Sequence, residues 1–208
     1  MIRLLGRRAS SNVRKVMWTL EELSLAFQRE DVGGEFGRNR DSDFLALNPN
    51  GLVPVIVDGD VVLWESNTIV RYLAARYGRA APADSPLWEP DEAQRARIER
   101  WMDWQLSLAT PALNLLTSAL VHKSTKVAPA DDVERAKRQL ADGMRILDQE
   151  LGTRKFLAGE RFSLADIAVG VIAYRERALP VVREALPNLQ RWYAEVSARP
   201  AFLRSVPI

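Results

Sequence analysis

Three short stretches in the first 70 residues carry side chains that could bind or activate a small ligand. The first is Ser10-Ser11-Asn12, which lies between a predicted strand and a predicted helix. Backbone amides at a helix start are free and carry the positive end of the helix dipole, so this turn favours an anion. The alternative interpretation is an ordinary helix N-cap, which is favoured when the stretch is taken alone.

The second stretch runs from Asn48 to Val55, a turn leading into a strand with Pro54 almost at its start. Proline donates no hydrogen bond to a sheet, so Pro54 lies at an edge or a kink and leaves the Val53 backbone free to pair. An extended ligand could then add itself to Val53 as a short strand. A cis Val53–Pro54 peptide bond would explain this arrangement. The alternative is an ordinary edge strand.

The third stretch is Trp64-Glu65-Ser66-Asn67, where a strand ends in an acid immediately before a helix. The Ser66 hydroxyl and the first helical amides can hold a carboxylate, while Glu65 can accept a hydrogen bond from an ammonium group. Two neighbouring residues could thus bind the α-carboxylate and the α-amine of one amino acid. A serine cap with an acid beside it is the alternative.

Composition excludes most other chemistry. The 208 residues include no cysteine and a single histidine, His122. Disulfides, thiolate metal sites, iron–sulfur clusters and cysteine nucleophiles are therefore excluded, as are catalytic triads and multi-histidine metal centres. We expect no metal, and any reaction must use hydroxyls, carboxylates, amides or a reactive group borrowed from a co-substrate.

Charge and hydropathy bear on partners and location. Lys and Arg total 29 against 27 Asp and Glu, a formal charge of +2 without a long basic run, so nucleic acid is not expected as a partner. The sequence has no run of 18 apolar residues and no signal-peptide pattern at its start. We expect no membrane association and a cytoplasmic location.

The three stretches need elements to position them, and the periodicity of residues 1–78 predicts the order βαβ followed by ββα. Asp58-Gly59 favours a tight hairpin between the last two strands. The predicted elements are a strand at Ile2–Leu5, a helix at about 12–26, strands at 27–32, 53–57 and 60–64, and a helix at 67–77 capped by Ser66 and ended by Gly78.

Beyond residue 80 the strand pattern disappears. Pro82, Pro86 and Pro90 separate two periodic regions, and Ser163 to Asp166 has capping-box spacing. Helices are predicted at about 90–122, with a kink at Pro111, and at 130–151, 163–178 and 187–198. We therefore predict an α/β domain at 1–79, a linker at 80–89 and an all-helical domain at 90–208.

Taken together, these features resemble the cytosolic glutathione transferases. The hydroxyl turn, Val53-Pro54 and Glu65-Ser66 occur in the order typical of that family, and Ser163 to Asp166 matches its capping motif. The resemblance implies a thioredoxin-like N-terminal domain, an all-α C-terminal domain and a homodimer. It also implies glutathione as co-substrate, with the Val53 backbone bonded to its cysteinyl part, Glu65 and Ser66 holding its γ-glutamyl end, and Pro54 cis.

The subfamily follows from absences as well as matches. No tyrosine lies near the first turn and there is no cysteine, which leaves a serine-type enzyme. Ser10-x-Asn12-x-x-Lys15 looks like the Ser/Thr-x-Asn-x-x-Lys opening of theta-like bacterial relatives. The resemblance places Ser10 at the catalytic position with Asn12 beside it, and Ser11 is the alternative by one residue.

The expected activity is the addition of a glutathione thiolate, stabilised by a serine hydroxyl, to a hydrophobic electrophile. Leu52 departs from the family pattern, because many relatives carry Lys or Gln there to reach the glycyl carboxylate. The loop from Gly37 to Asp43, with Arg38, Asn39 and Arg40, is a candidate substitute. Two alternatives are glutathione-dependent disulfide or peroxide reduction and a non-catalytic ligand-binding module.

Overall fold

The computed structural model describes residues 1–78, 87–121 and 128–207. They divide into two compact units, Met1–Trp88 together with Arg199–Ile208, and Glu89–Ala198. Residues 80–86 of the predicted linker, and His122, lie outside the described residues. The helical domain predicted at 90–208 includes the last ten residues, whereas the structure groups them with the first unit.

The first unit is built on a four-stranded mixed sheet. Its strands are β1 (Ile2–Leu5), β2 (Phe27–Glu30), β3 (Val55–Asp58) and β4 (Val61–Trp64). They lie in the order β2-β1-β3-β4, with β1 parallel to β2 and β3 antiparallel to both β1 and β4. The predicted order of the four strands along the chain is confirmed, although β3 begins two residues later than predicted.

Three helices follow in the first unit, α1 (Ser11–Glu22), α2 (Ser42–Leu47) and α3 (Ser66–Tyr77). α1 buries Val13, Val16 and Leu20, which recur at intervals of three and four residues and so form one apolar face of the helix. The helix ends four residues earlier than predicted, and Ser24 beyond it has a positive φ of 53°. The short helix α2 was not predicted, because six residues are too few for a clear helical period.

The second unit is helical throughout. Its helices are α4 (Glu92–Trp104), α5 (Thr110–Leu116), α6 (Ala130–Leu151), α7 (Leu164–Arg177) and α8 (Pro187–Ser197). The predicted single helix at 90–122 is wrong in detail, since a π-helical turn at Gln105–Ala109 separates α4 from α5 and another follows at Thr117–Val121. Pro111 lies in the first turn of α5, where its missing N–H costs little.

The capping box at the start of α7 is confirmed. The buried carboxylate of Asp166 accepts hydrogen bonds from the Ser163 backbone N–H at 2.9 Å and from the Ser163 hydroxyl at 3.0 Å. It also accepts from the Leu157 backbone N–H at 3.1 Å and the Trp192 indole N–H at 2.8 Å. One carboxylate thereby ties α7 to the preceding loop and to α8.

The first unit ends with α9 (Pro200–Ser205), which packs on α1. The ring of Phe202 meets the ring of Trp18 edge to face, with their centroids 4.9 Å apart. Arg199 donates two hydrogen bonds of 2.7 Å to the carboxylate of Glu22. The last helix is therefore part of the core that supports α1.

Of the helices in residues 1–78, 87–121 and 128–207, each is too short or too polar to cross a bilayer.

We expect Phe202→Ala to lower the free energy of unfolding by about 3–5 kcal/mol, because it removes a side chain that is only 2% exposed. Leu203→Ala is the matched control on the same helix, since Leu203 is 58% exposed, and it should change stability by less than about 0.5 kcal/mol. Urea denaturation followed by tryptophan fluorescence measures both. Equal losses in the two variants would contradict the packing of α9 on α1.

Candidate functional site

The start of α1 presents two partly exposed hydroxyls. Ser10 precedes the helix in an extended conformation, with φ −71° and ψ 124°, and its carbonyl accepts the Arg14 N–H at 2.9 Å. The Ser10 side chain makes no capping hydrogen bond. Within the described residues, neither the Ser10 nor the Ser11 hydroxyl bonds to another protein group. Ser10 therefore occupies the N-cap position of α1, but its hydroxyl does not make the capping hydrogen bond that an ordinary N-cap would make.

Val53 lies against the start of α1 because Gly6 allows a close approach. Gly6 follows β1, and a Cβ added to it would lie 2.5 Å from Cγ2 of Val13 and 3.2 Å from Cβ of Val53. The Val53–Pro54 bond is cis, as the resemblance implied. The pairing of β3 begins only at Val55, so the Val53 backbone lies outside the ladder of the sheet.

Side-chain amides hold the turn before Val53. Asn48, only 2% exposed, donates to the Leu52 carbonyl at 2.8 Å and accepts the Asn50 N–H at 3.1 Å. Asn39 donates to the Gly51 carbonyl at 2.8 Å. The Leu52 side chain is 62% exposed, so only its backbone takes part in this turn.

The start of α3 differs from the prediction. Glu65 occupies the N-cap position with φ 69° and ψ 107°, while Ser66 is the first helical residue, so the predicted Ser66 cap is wrong. A side chain in this left-handed region is unfavourable, and such residues are concentrated at binding and active sites. The conformation leaves the Glu65 carboxylate exposed beside the free amides of α3.

A hydrogen bond joins the starts of the two helices. The hydroxyl of Ser66, only 5% exposed, donates to Oδ1 of Asn12 at 3.2 Å. The positive ends of α1 and α3 therefore lie side by side, which concentrates unpaired N–H donors in one place. Helix starts brought together in this way favour negatively charged groups.

A buried lysine supports this junction from behind. Nζ of Lys15 donates to Oδ1 of Asn67 at 2.8 Å, joining α1 to α3 a second time. Burial lowers the pKa of Lys15 to about 7; the nearby Glu65 carboxylate opposes the shift, and Arg71 adds to it. Sequence reasoning used Lys15 only as part of a motif. Its position among the apolar Val13, Val16 and Met17 was the signal that its amine would be buried.

The seven predicted site positions thus lie on connected elements of the first unit: Ser10, Asn12, Leu52, Val53, Pro54, Glu65 and Ser66. The arrangement offers two helix starts for anions, one exposed carboxylate for a cation and one backbone segment for an extended ligand. Such a site suits a small peptide-like molecule with an α-carboxylate and an α-amine.

Comparison with known proteins decides the family. The N-terminal domain of glutathione S-transferases matches residues 1–75 and the C-terminal domain matches residues 108–200. The chain belongs to the glutathione S-transferase family. The predicted family, and a fold class of a thioredoxin-like α/β domain followed by an all-α domain, are confirmed, and this is a family of enzymes.

Similar proteins span almost the whole chain. Glutathione S-transferase GstB of Escherichia coli strain K12 is 40% identical over 210 residues, covering 100% of this chain and 99% of the relative. Glutathione S-transferase 3 of Zea mays is 35% identical, covering 99% and 93%. The crystal structure of the theta class enzyme from Xanthomonas axonopodis pv. citri with glutathione bound has a TM-score of 0.91 at 40% identity, covering 100% and 97%.

The low pKa of Lys15 predicts a pH-dependent stability. The pKa of Lys15 is about 7 in the folded protein and about 10.4 in the unfolded chain. Between these two pH values Lys15 is protonated in the unfolded chain but largely neutral in the folded protein. The free energy of unfolding should therefore rise by about 1 kcal/mol per pH unit between pH 7.5 and 9. Denaturant titrations across this range should show the slope in the wild type and its loss in Lys15→Met.

Lys155→Met is the matched control, because Lys155 is a partly exposed lysine paired with Glu195. It should keep the wild-type slope. A slope that survives in Lys15→Met would assign the pH dependence to another group.

Proposed function

We propose that the first unit binds glutathione and that the Ser10 hydroxyl stabilises its thiolate for addition to a hydrophobic electrophile. The observation that carries the proposal is the Ser66–Asn12 hydrogen bond, which brings the start of α3 beside the uncapped hydroxyls at the start of α1. The similarity over the whole chain to the Xanthomonas enzyme, whose structure contains glutathione, supports it.

Each part of glutathione has a chemically suitable partner. The γ-glutamyl carboxylate suits the free backbone amides at the start of α3, that of Ser66 among them, and its ammonium suits the exposed carboxylate of Glu65. The Val53 backbone, outside the ladder of the sheet, suits the cysteinyl part as a short added strand. This placement directs the thiol toward the start of α1.

The strength of one hydroxyl hydrogen bond is sufficient for thiolate formation. Lowering a thiol pKa from about 8.5 by two units requires about 2.7 kcal/mol. A hydrogen bond to a charged acceptor contributes about 1.5–3 kcal/mol, and a helix N-terminus adds about 0.3–1 kcal/mol. Ser10 therefore keeps its proton and donates to sulfur, and the sulfur is the nucleophile.

Asn12 contributes a second donor in this proposal. Its Oδ1 accepts from Ser66, so its amide Nδ2 is oriented away from that bond. Between the two serines we favour Ser10, because it lies in the extended segment before the first helical turn, where a side chain is adjacent to the free amides of α1. Ser11 is already the first helical residue.

Arg40 is the candidate that replaces the lysine or glutamine missing at Leu52. A Cβ added to Gly51 would lie 2.8 Å from Nη1 of Arg40, so this guanidinium lies over the turn that precedes Val53. The Asn39 amide bonded to the Gly51 carbonyl holds the two loops together. The cation is thus adjacent to Leu52 and can reach the glycyl carboxylate of glutathione.

The full proposal includes a homodimer, a location in the cytoplasm, and no nucleic acid or membrane partner. The second substrate is a small hydrophobic electrophile. Parallel assays with a chloronitrobenzene, an organic hydroperoxide and a mixed disulfide separate conjugation from glutathione-dependent reduction. Calorimetry measures the binding of glutathione directly. If the protein neither binds glutathione nor turns over any of these substrates, the non-catalytic ligand-binding module is the function that remains.

We expect Ser10→Ala to lower kcat/KM for chloronitrobenzene conjugation at pH 6.5 at least about tenfold, because the thiolate loses a charge-assisted hydrogen bond. The pKa of the thiol of bound glutathione should rise by about one unit or more. The absorbance of the thiolate during a pH titration measures this pKa. Ser11→Ala is the matched control and should change neither quantity. The opposite pattern would move the role to Ser11.

For Arg40→Ala we expect about tenfold or more weaker binding of glutathione and an unchanged affinity for γ-glutamylcysteine, which lacks the glycyl carboxylate. Isothermal titration calorimetry measures both ligands. Arg38→Ala is the control, because Arg38 is an exposed cation of the same loop whose charge acts on Glu30. Equal losses for both ligands would show that Arg40 does not recognise the glycyl end.

A further inference from the structure

Arg7, Arg8 and Arg14 lie close to the turn that leads into Ser10, and the last two of these arginines are engaged by backbone carbonyls of the first unit. Nη2 of Arg8 donates to the carbonyl of Arg204 at 2.7 Å. Nε of Arg14, which is only 3% exposed, donates to the carbonyl of Arg8 at 3.1 Å. These two arginines therefore hold the turn and the end of α9 in place.

Arg7 differs from them, because its side chain is paired with an exposed carboxylate. Its carbonyl accepts the Ser10 N–H at 3.1 Å, which closes a turn, so the Cα atoms of these two residues lie within about 7 Å of each other. Its Nη1 lies 3.5 Å from Oε2 of Glu35, whose side chain is 58% exposed. An ion pair this exposed contributes little to stability. An anionic group on a ligand can therefore replace Glu35 at the guanidinium.

The loop after β2 provides a place for the Arg7 side chain. A Cβ added to Gly34 would lie 2.6 Å from Nε and 2.7 Å from Cδ of Arg7, so this side chain crosses the bare backbone of the glycine. Gly34 also has a φ of 59°, a conformation that favours glycine. A larger residue at this position would displace the Arg7 side chain. The loop therefore determines where the positive charge lies.

The same loop adds an aromatic surface. Gly34–Phe36 forms a 3-10 turn, in which the Phe36 N–H donates to the Gly33 carbonyl at 3.3 Å, and Phe36 is 45% exposed. A Cβ added to Gly33 would lie 3.5 Å from Cγ1 of Val53, so the turn lies against the segment proposed to bind the cysteinyl part of glutathione. A cation, Arg7, and an exposed phenyl ring thus lie on one loop beside the position proposed for the sulfur.

We propose that the second substrate is an aromatic electrophile that carries an anionic group, which binds Arg7 while the aromatic ring contacts Phe36. The inference rests on the proposed function and deepens it by naming the substrate class. A carboxylate can accept two N–H donors of one guanidinium, which also orients the ring attached to it. A neutral electrophile of the same shape lacks this contact, so the charge of Arg7 gives selectivity.

The reaction with an aryl halide of this class requires no additional group. The electron pair of the glutathione thiolate forms a carbon–sulfur bond to the ring. The bond from the same ring carbon to the halogen breaks, and the halide leaves with its electron pair. Arg7 holds the anionic group and transfers no proton, so it acts as a substrate-binding residue.

The test uses 4-chloro-3-nitrobenzoate and 4-chloro-3-nitrobenzamide, which share a ring and a leaving group but differ by one charge. Each kcat/KM of the full-length protein is divided by the rate constant of the same probe with free glutathione, which removes the difference in intrinsic reactivity. We expect this value to be about tenfold or more higher for the benzoate.

The outcomes separate this inference from the proposed function. Turnover of the benzamide without a preference for the benzoate would overturn the inference and leave the proposed function standing. If the protein turns over neither probe and does not bind glutathione in calorimetry, both the inference and the proposed function are wrong.

Variants then assign the charge recognition. Arg7→Met keeps the apolar stem, and the ratio of benzoate to benzamide kcat/KM should fall about tenfold, mainly through a higher KM for the benzoate. Arg3→Met is the matched control and should keep the wild-type ratio, since Arg3 on β1 pairs with Glu30 as Arg7 pairs with Glu35. Equal ratios in Arg7→Met and the wild type would overturn the proposal. Glu35→Gln removes the competing carboxylate and should raise the ratio, whereas a lower ratio would contradict the role of Arg7.

Binding of the two products tests the same contact without turnover. S-(4-carboxy-2-nitrophenyl)glutathione should bind the wild type about tenfold more tightly than the corresponding carboxamide, as measured by isothermal titration calorimetry. The difference in affinity should disappear in Arg7→Met and persist in Arg3→Met. Equal affinity of the wild type for the two products would show that the anionic group does not bind Arg7, and the inference would be wrong.

Discussion

The junction between α1 and α3 is the constraint on which the site in the first unit depends. Two hydrogen bonds, Ser66 to Asn12 and Lys15 to Asn67, join helices that are separated by half of the unit's sequence. They place two positive helix ends together, an arrangement that is electrostatically unfavourable unless something compensates it. The carboxylate of Glu65 and the lowered pKa of Lys15 both reduce the positive charge there, and the proposed substrate brings further negative charge.

The two units solve the problem of a buried charge in different ways. Asp166 in the second unit is fully buried and accepts four hydrogen bonds, so its role is to fix the geometry of α7, a loop and α8. Lys15 in the first unit is equally buried, and its amine donates to the neutral side-chain amide of Asn67. Burial is nevertheless the largest influence on both groups: it lowers the pKa of Lys15 to about 7, and it raises the pKa of Asp166 to about 6 although all four donors oppose that shift. The charge buried in each unit thus varies close to the pH range where an enzyme works.

Sequence reasoning recovered what is encoded locally. The order of the strands along the chain, the hairpin of β3 and β4, the capping box of Ser163 and Asp166, and the positions of the three site stretches follow from periodicity and residue type. The Glu65 backbone conformation, the π-helical turn before α5 and the docking of α9 could not be predicted, because each is imposed by packing between distant segments. The same holds for Arg40, whose position over Gly51 results from two loops meeting. For Ser66, residue propensity indicated the N-cap of α3. In the structure its hydroxyl instead donates to Asn12 and so connects α3 to α1.

The membership of α9 in the first unit has a consequence for biosynthesis. Helix α1 covers the sheet early in translation, yet Phe202, which packs on Trp18, is added only after Glu89–Ala198 has been made. Domains generally begin to fold in order as they emerge from the ribosome. The Trp18 face of α1 therefore stays uncovered until the whole helical unit has been made, and the core of the first unit is completed only by residues that follow that unit in the chain.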